Sequence, residues 1–319
     1  MRYVMCALLG LFALVHEASA QAYPSRTVRL VVPFPPGGSA DALARPLAER
    51  LSADLGQPVI VDNRGGGNTV IGADIVAKSA PDGYTLYLMP GAHVLSTRLM
   101  KNVPYHPIRD FTPVSMIVTT PYVIFSGANY PFKSLAELLA YAAANPDKIS
   151  IGTTDALGKV VVATLNKYGK IQITEVSYKG AGPLASDVVG GHLSLGVNTP
   201  AVVNGLQKAG SVRALALTGV RRLPLMKEIP TVAESIGAAD FDVHTWFVLA
   251  GPANLPAAVA DRLQVAMAKI LADQGLRERL INLGMAPVDN TSAAAAAAMM
   301  QAYMDRMGAL LESSGIRPE

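Results

Sequence analysis

The segment Val28-Arg29-Leu30-Val31-Val32-Pro33-Phe34-Pro35-Pro36-Gly37-Gly38-Ser39-Ala40-Asp41-Ala42-Leu43-Ala44-Arg45 runs from an apolar strand, through a Pro/Gly turn, into an amphipathic helix. Residues of these types in this order suit anion binding. Glycine lets the backbone approach a ligand without interference from Cβ, and the first-turn amides of a helix have no intrahelical acceptor, so they can hydrogen-bond a carboxylate or phosphate. Catalysis has no comparable signature. The chain has no Gly-x-Ser-x-Gly elbow and no His-Glu-x-x-His pair, and His93, His106, His192 and His244 stand isolated, so neither a triad nor a zinc site is written locally. Gly65-Gly66-Gly67 lacks the dinucleotide fingerprint and the Lys-Ser/Thr of a phosphate loop. A tight strand-to-helix connection into Ile71-Gly72-Ala73 is the expected role.

The elements that must hold such a loop are legible as short β-branched runs alternating with longer Ala/Leu-rich helical patterns, which predicts an α/β fold of parallel units with crossover helices. Expected strands are 28–32, 59–61, 85–88, 114–118, 122–125, 149–151, 193–197, 213–218 and 246–250. Expected helices are 40–55, 71–79, 134–145, 159–168, 183–190, 256–273, 274–283 and 292–313. Ser134 followed by Glu137 reads as a capping box, and Thr291 and Ser292 can cap the Ala293–Ala298 run, which is expected to be an ordered helix. No Pro/Ser-rich linker separates domains, so the boundary must fall within extended segments. Segments 122–126 and 244–250 are the candidates for paired crossing strands, a hinge that permits closure around a ligand.

Met1-Arg2, the apolar run Tyr3–Val15 and Ala18-Ser19-Ala20 read as an export signal cleaved near Ala20/Gln21, which implies the periplasm. Its apolar run is too short to span a bilayer. Cys6 lies within it and is the chain's single cysteine, so the mature chain is expected to have no thiol chemistry or disulfide. Half of the residues are hydrophobic and the net charge is +3, with Lys and Arg scattered. Nucleic acid is therefore not an expected partner, and no metal or other cofactor is expected.

The chain resembles the substrate-binding proteins of tripartite tricarboxylate transporters, the Bug family of periplasmic receptors. The resemblance is carried by Val31-Val32-Pro33-Phe34 with Gly37-Gly38 and Asp41-Ala44-Arg45, by Leu55-Gly56-Gln57-Pro58-Val59, and by Val61-Asp62-Asn63-Arg64 with Gly67. It continues through Pro81-Asp82-Gly83-Tyr84-Thr85-Leu86, Asp110-Phe111-Thr112-Pro113-Val114 and Tyr178-Lys179-Gly180. Arg213-Ala214-Leu215-Ala216, Ile229-Pro230-Thr231-Val232-Ala233-Glu234 and Gly315-Ile316-Arg317-Pro318-Glu319 complete it. It implies a two-domain periplasmic-binding-protein (Venus-flytrap) fold joined by two crossing strands. Residues 21–122 with 247–319 would form a discontinuous first domain, residues 123–246 the second, and residues 1–20 the signal peptide. It further implies a monomeric receptor, not an enzyme, that captures a small carboxylate through loop amides for a small and a large membrane permease subunit. Alternative readings are a sensing protein that hands its ligand to a two-component sensor kinase and an exported hydrolase.

The first-lobe candidates are Phe34 as a wall, the amides and hydroxyl of Gly37, Gly38 and Ser39, Asp41 as a group orienting the loop, and Gly91 and His93 after the third strand. The second-lobe counterpart is the strand end Gly152-Thr153-Thr154-Asp155-Ala156-Leu157-Gly158-Lys159. Thr153, Thr154, Asp155, Gly158 and Lys159 are its candidates. Here the chain departs from the Ser-Gly-x-Gly-Ser and Ser-His-Leu pattern of the relatives, and Asp155 and Lys159 add charges. Lys179 and Asn198-Thr199-Pro200 complete the set, with Asn198 able both to donate and to accept.

Overall fold

The computed structural model describes residues 23–289 and 292–313. The leader reading of residues 1–20 with Cys6, the Thr291 cap and the Gly315–Glu319 motif lie outside them. The strands are β1 (Val28–Val32), β2 (Val59–Asn63), β3 (Thr85–Pro90), β4 (Phe111–Pro121), β5 (Val123–Gly127), β6 (Ser150–Thr153), β7 (Thr174–Ser177), β8 (Leu195–Asn198), β9 (Val212–Leu217), β10 (His244–Pro252) and β11 (Ala286–Pro287). The helices are α1 (Ser39–Leu55), α2 (Val70–Ala77), α3 (Ser96–Leu99), α4 (Leu135–Ala144), α5 (Ala156–Gly169), α6 (Ala181–Val189), α7 (Pro200–Lys208), α8 (Val232–Ile236), α9 (Ala257–Ala272), α10 (Gln274–Asn282) and α11 (Ala293–Ser313).

Two sheets result, in the orders β11-β4-β10-β3-β1-β2 and β7-β6-β8-β5-β9. This is the two-lobe α/β fold of periplasmic binding proteins. The strands that feed the crossover helices are parallel, β1 to β2 and β3, and β6 to β7 and β8. Both sheets are mixed, a feature the expected parallel units did not specify. Strand β10 runs antiparallel to β3 and β4, and β5 antiparallel to β8 and β9. Segments 122–126 and 244–250 do not pair with each other. The long ladder is β4 with β10, from Phe111↔Pro252 to His244↔Pro121, and the chain leaves it for the second sheet at Tyr122. Thr218 fastens this junction. Its hydroxyl accepts from the Tyr122 amide at 2.8 Å and donates to the Val243 carbonyl at 2.5 Å, so the two chain crossings are tied side by side.

Five elements escaped the sequence pattern, namely α3, α7, α8, β7 and β11, and for two of them the physical reason is plain. Helix α7 begins with Pro200 at its first position, where the fixed φ of proline suits a helix start although Asn-Thr-Pro reads as a turn. Strand β7, Thr-Glu-Val-Ser, is a mostly exposed edge strand with little apolar signal. The closing helix α11 buries Ala296, Met300, Tyr303, Met307 and Leu311, a stripe at spacings of three and four. It packs on β4, on the 91–95 turn and on α5, and so touches both lobes.

Candidate functional site

Between the sheets lies a narrow cleft, and among the described residues four helix N-termini line it. From the first lobe come Gly38, Ser39 and Ala40 of α1. From the second come Thr154 and Asp155 before α5, Gly180 and Ala181 at α6, and Asn198 and Thr199 at α7. Each follows the carboxyl end of a parallel strand, the edge at which α/β sheets present ligand sites.

The amides at these ends are unevenly occupied. In α1 the first intrahelical bond joins the Ala42 amide to the Gly38 carbonyl, which leaves Ser39, Ala40 and Asp41 without intrahelical acceptors. Gly38, Gly180 and Thr199, the caps of α1, α6 and α7, place no side-chain oxygen on these amides. Helix α5 is different, because Asp155 caps it. Its Oδ1 accepts from the Gly158 amide at 3.0 Å, and its Oδ2 accepts from the Tyr122 hydroxyl at 2.9 Å. Burial raises the Asp155 carboxyl above the ordinary aspartate range, opposed by the Gly158 amide, the Tyr122 hydroxyl and the Leu157 amide. Among the described residues no Lys or Arg lines the cleft, so their attraction for anions comes from helix ends, each equivalent to roughly half a positive charge.

Two buried polar atoms of residues that line this cleft are unpartnered. The Asn198 Oδ1 accepts from the Thr199 amide at 2.9 Å, which fixes the orientation of the side chain, while Asn198 Nδ2 and the Thr199 hydroxyl have no partner among the described residues. A buried donor left unsatisfied costs about 1–3 kcal/mol. A ligand that accepts from Nδ2 recovers it. The lips of the cleft are nearly closed. A Cβ built on Gly38 would lie 3.9 Å from the Ala181 Cβ, and one on Gly180 would lie 3.2 Å from the Pro35 Cγ of the other lobe.

Of the expected site residues, Phe34, Gly38, Ser39, Thr154, Asp155, Asn198 and Thr199 line this cleft. Gly37 and Asp41 shape the loop instead. Gly37 sits at φ +88°, a conformation suited to glycine, and its amide donates to Asp41 Oδ2, which also accepts from Arg45 at 2.9 Å. Against the penalty of burial, the Arg45 and Gly37 bonds hold the Asp41 carboxyl below its ordinary value. The triple glycine supports the same loop, since a Cβ on Gly65 would strike Pro35 Cδ at 2.8 Å. Thr153 is buried and its hydroxyl donates to Glu175, and Gly158 supplies the amide taken by Asp155. Pro200 is the buried first residue of α7. Lys159 and Lys179 line a separate groove beside the 66–69 loop, which adjoins the cleft through Phe34 and Thr154. Gly91 backs onto Thr245 and Trp246.

His93 is corrected to a core residue. Its ring is wholly buried, stacked on Tyr105 and edge-on to Phe111, with Nε2 2.9 Å from the Pro107 carbonyl. Burial pushes it down to about 4, opposed by the Pro107 carbonyl. Between its unfolded value near 6.5 and that value the folded chain binds fewer protons, so the stabilisation is full above pH 6.5 and lost as pH falls to 4. Urea unfolding of the native chain and His93→Phe at pH 7, 5.5 and 4.5 is expected to show about 2 kcal/mol of pH-dependent loss that the variant lacks. Equal slopes would contradict a neutral His93.

Sequence reasoning missed Pro35, Pro90, Tyr122, Thr245 and Phe247, all of which line the cleft. Tyr122 and the β10 residues read as strand interior. Only their place where the chain crosses between lobes turns them into the floor of a site.

Comparison with known proteins agrees with this fold. The sequence profile of the tripartite tricarboxylate transporter family receptor matches residues 43–316. Protein BugT of Bordetella pertussis is 34% identical over 294 residues, covering 89% of each chain. The periplasmic binding protein BugD superposes with a TM-score of 0.88 at 31% identity, over 93% of this chain and 100% of that one. An R. palustris protein solved with adipate superposes with a TM-score of 0.89 at 31% identity and the same coverage.

Proposed function

The chain belongs to the tripartite tricarboxylate transporter family of receptors, and on that premise we propose that it closes two lobes around one small carboxylate and delivers it to a membrane permease. The observation that carries this function is the convergence of the uncapped N-termini of α1 and α6 on a cleft also lined by Asn198, whose Nδ2 is unpartnered among the described residues. Among the described residues the first lobe takes 23–122 with 244–289 and 292–313, since β10 pairs with β4 from His244 onward, the second takes 123–243, and closure bends the segments fastened by Thr218. Hydrogen bonds to a charged group contribute about 1.5–3 kcal/mol each, and about 8 kcal/mol corresponds to micromolar affinity. Three or four amide contacts, less the cost of ordering, reach that range.

A carboxylate ligand is further supported by the adipate bound to the R. palustris neighbour. Export to the periplasm is supported by BugD and by the leader-like N-terminus. Isothermal titration with a panel of small carboxylates, amides and esters is expected to give stoichiometric binding of at least one carboxylate and no conversion. At a ligand concentration of 100 times Kd, the stability gain should be about 2.7 kcal/mol. Turnover of an ester or amide, or silence toward every carboxylate, would overturn the proposal.

A further inference from the structure

Of the four helix N-termini at the cleft, that of α5 is already taken, and its occupant is a carboxylate of the chain itself. Asp155 is 8% exposed and lines the cleft, with one oxygen on the Gly158 amide and the other on the Tyr122 hydroxyl. The Gly158 amide is therefore closed to a carboxylate of the ligand. With no Lys or Arg among the described residues of the lining, a second ligand carboxylate on this side would face Asp155 without a compensating cation from them. A carboxylate has about four lone-pair sites, so Asp155 keeps acceptor capacity beyond the bonds it makes. The group that satisfies it is an N–H or O–H donor.

We propose that Asp155 is a resident carboxylate that selects a monocarboxylate bearing an amino or hydroxyl donor and rejects dicarboxylates. The inference rests on the carboxylate-receptor function above. The ligand carboxylate then lies at α1, α6 and Asn198, and its donor points to the α5 side. Asp155 acts here as a specificity determinant and not as an anchor for the carboxylate.

The test is isothermal titration of the native chain, Asp155→Ser and Asp155→Asn with succinate, adipate, L-lactate and L-alanine. Serine keeps a capping oxygen for α5 but removes the carboxylate and opens room at the helix end. Asparagine removes the charge and leaves the end filled. The expected result is at least a tenfold gain in succinate or adipate affinity for Asp155→Ser over the native chain, with a smaller gain for Asp155→Asn. Lactate and alanine separate a hydroxyl from an ammonium donor, and tenfold weaker binding of whichever the native chain takes is expected in Asp155→Ser. Unchanged dicarboxylate affinity in Asp155→Ser, or a native preference for succinate or adipate over lactate and alanine, would overturn the inference and leave the receptor function standing. Absence of any carboxylate binding across the full panel would instead overturn the receptor function.

Discussion

The Gly180→Leu variant is expected to bind its carboxylate about 100-fold more weakly than the native chain while unfolding at the same temperature without ligand. Gly180 lies in extended backbone, φ −179°, which any residue adopts, so the substitution does not strain the chain itself. The obstruction lies across the cleft. A Cβ there already stands 3.2 Å from Pro35 Cγ and 3.6 Å from Pro35 Cβ, and leucine adds three more carbons. Overpacking of this kind costs about 1–3 kcal/mol, and it falls only on the closed arrangement. Apparent affinity drops by the fraction of molecules that can close, so the penalty appears in binding and not in folding. Gly180→Ala needs a shift of only a few tenths of an ångström and should cost under tenfold. Calorimetry with thermal unfolding of the unliganded variants checks both. Equal affinity of the leucine variant and the native chain would contradict closure at this contact.

Asn198→Asp is expected to weaken carboxylate binding by a comparable factor through chemistry instead of shape. The replacement is nearly isosteric, and one carboxylate oxygen can still accept the Thr199 amide, as Oδ1 does at 2.9 Å. The buried Nδ2 donor becomes an acceptor facing the ligand's negative charge. Losing a hydrogen bond to a charged group costs about 1.5–3 kcal/mol, and like-charge repulsion adds to it. Folding suffers far less, because the N-terminus of α7 favours a negative charge by about 0.3–1 kcal/mol, offsetting part of the burial cost. Titration and urea unfolding together check the split. A loss of stability as large as the loss of affinity would make Asn198 a structural residue only.

How far the sequence foretold this site depends on the kind of signal each part carries. The β1–α1 loop was legible because a strand buried on both faces reads as a continuous apolar run, and Gly37 has a backbone conformation that glycine favours. The α5 loop was legible as a strand end entering a helix, but the phase of that helix was not. Val160, Val161 and Val162 are all buried, so no polar face distinguishes the side of Lys159 from the side of Asp155, and Lys159 lies beside the adjoining groove. His93 misled because Gly-Ala-His-Val-Leu does not reveal that Tyr87, Tyr105 and Phe111 enclose its ring. Tyr122, Thr245 and Phe247 carry no local mark of function. Their role follows from strands that pass between lobes, a property of topology that a linear pattern of hydrophobic residues does not encode. The mixed sheets escaped for the same reason, since β5 and β10 have the composition of parallel strands but return the chain in the opposite direction.

A crystal structure of the protein with a bound carboxylate tests the central claim most directly. Its carboxylate oxygens are expected within about 2.7–3.2 Å of the Ser39 or Ala40 amide nitrogen and of Asn198 Nδ2, with Pro35 and Gly180 in contact over the closed mouth. A carboxylate held by Lys159 and Lys179 in the adjoining groove, with the α1 amides facing only water, would contradict it.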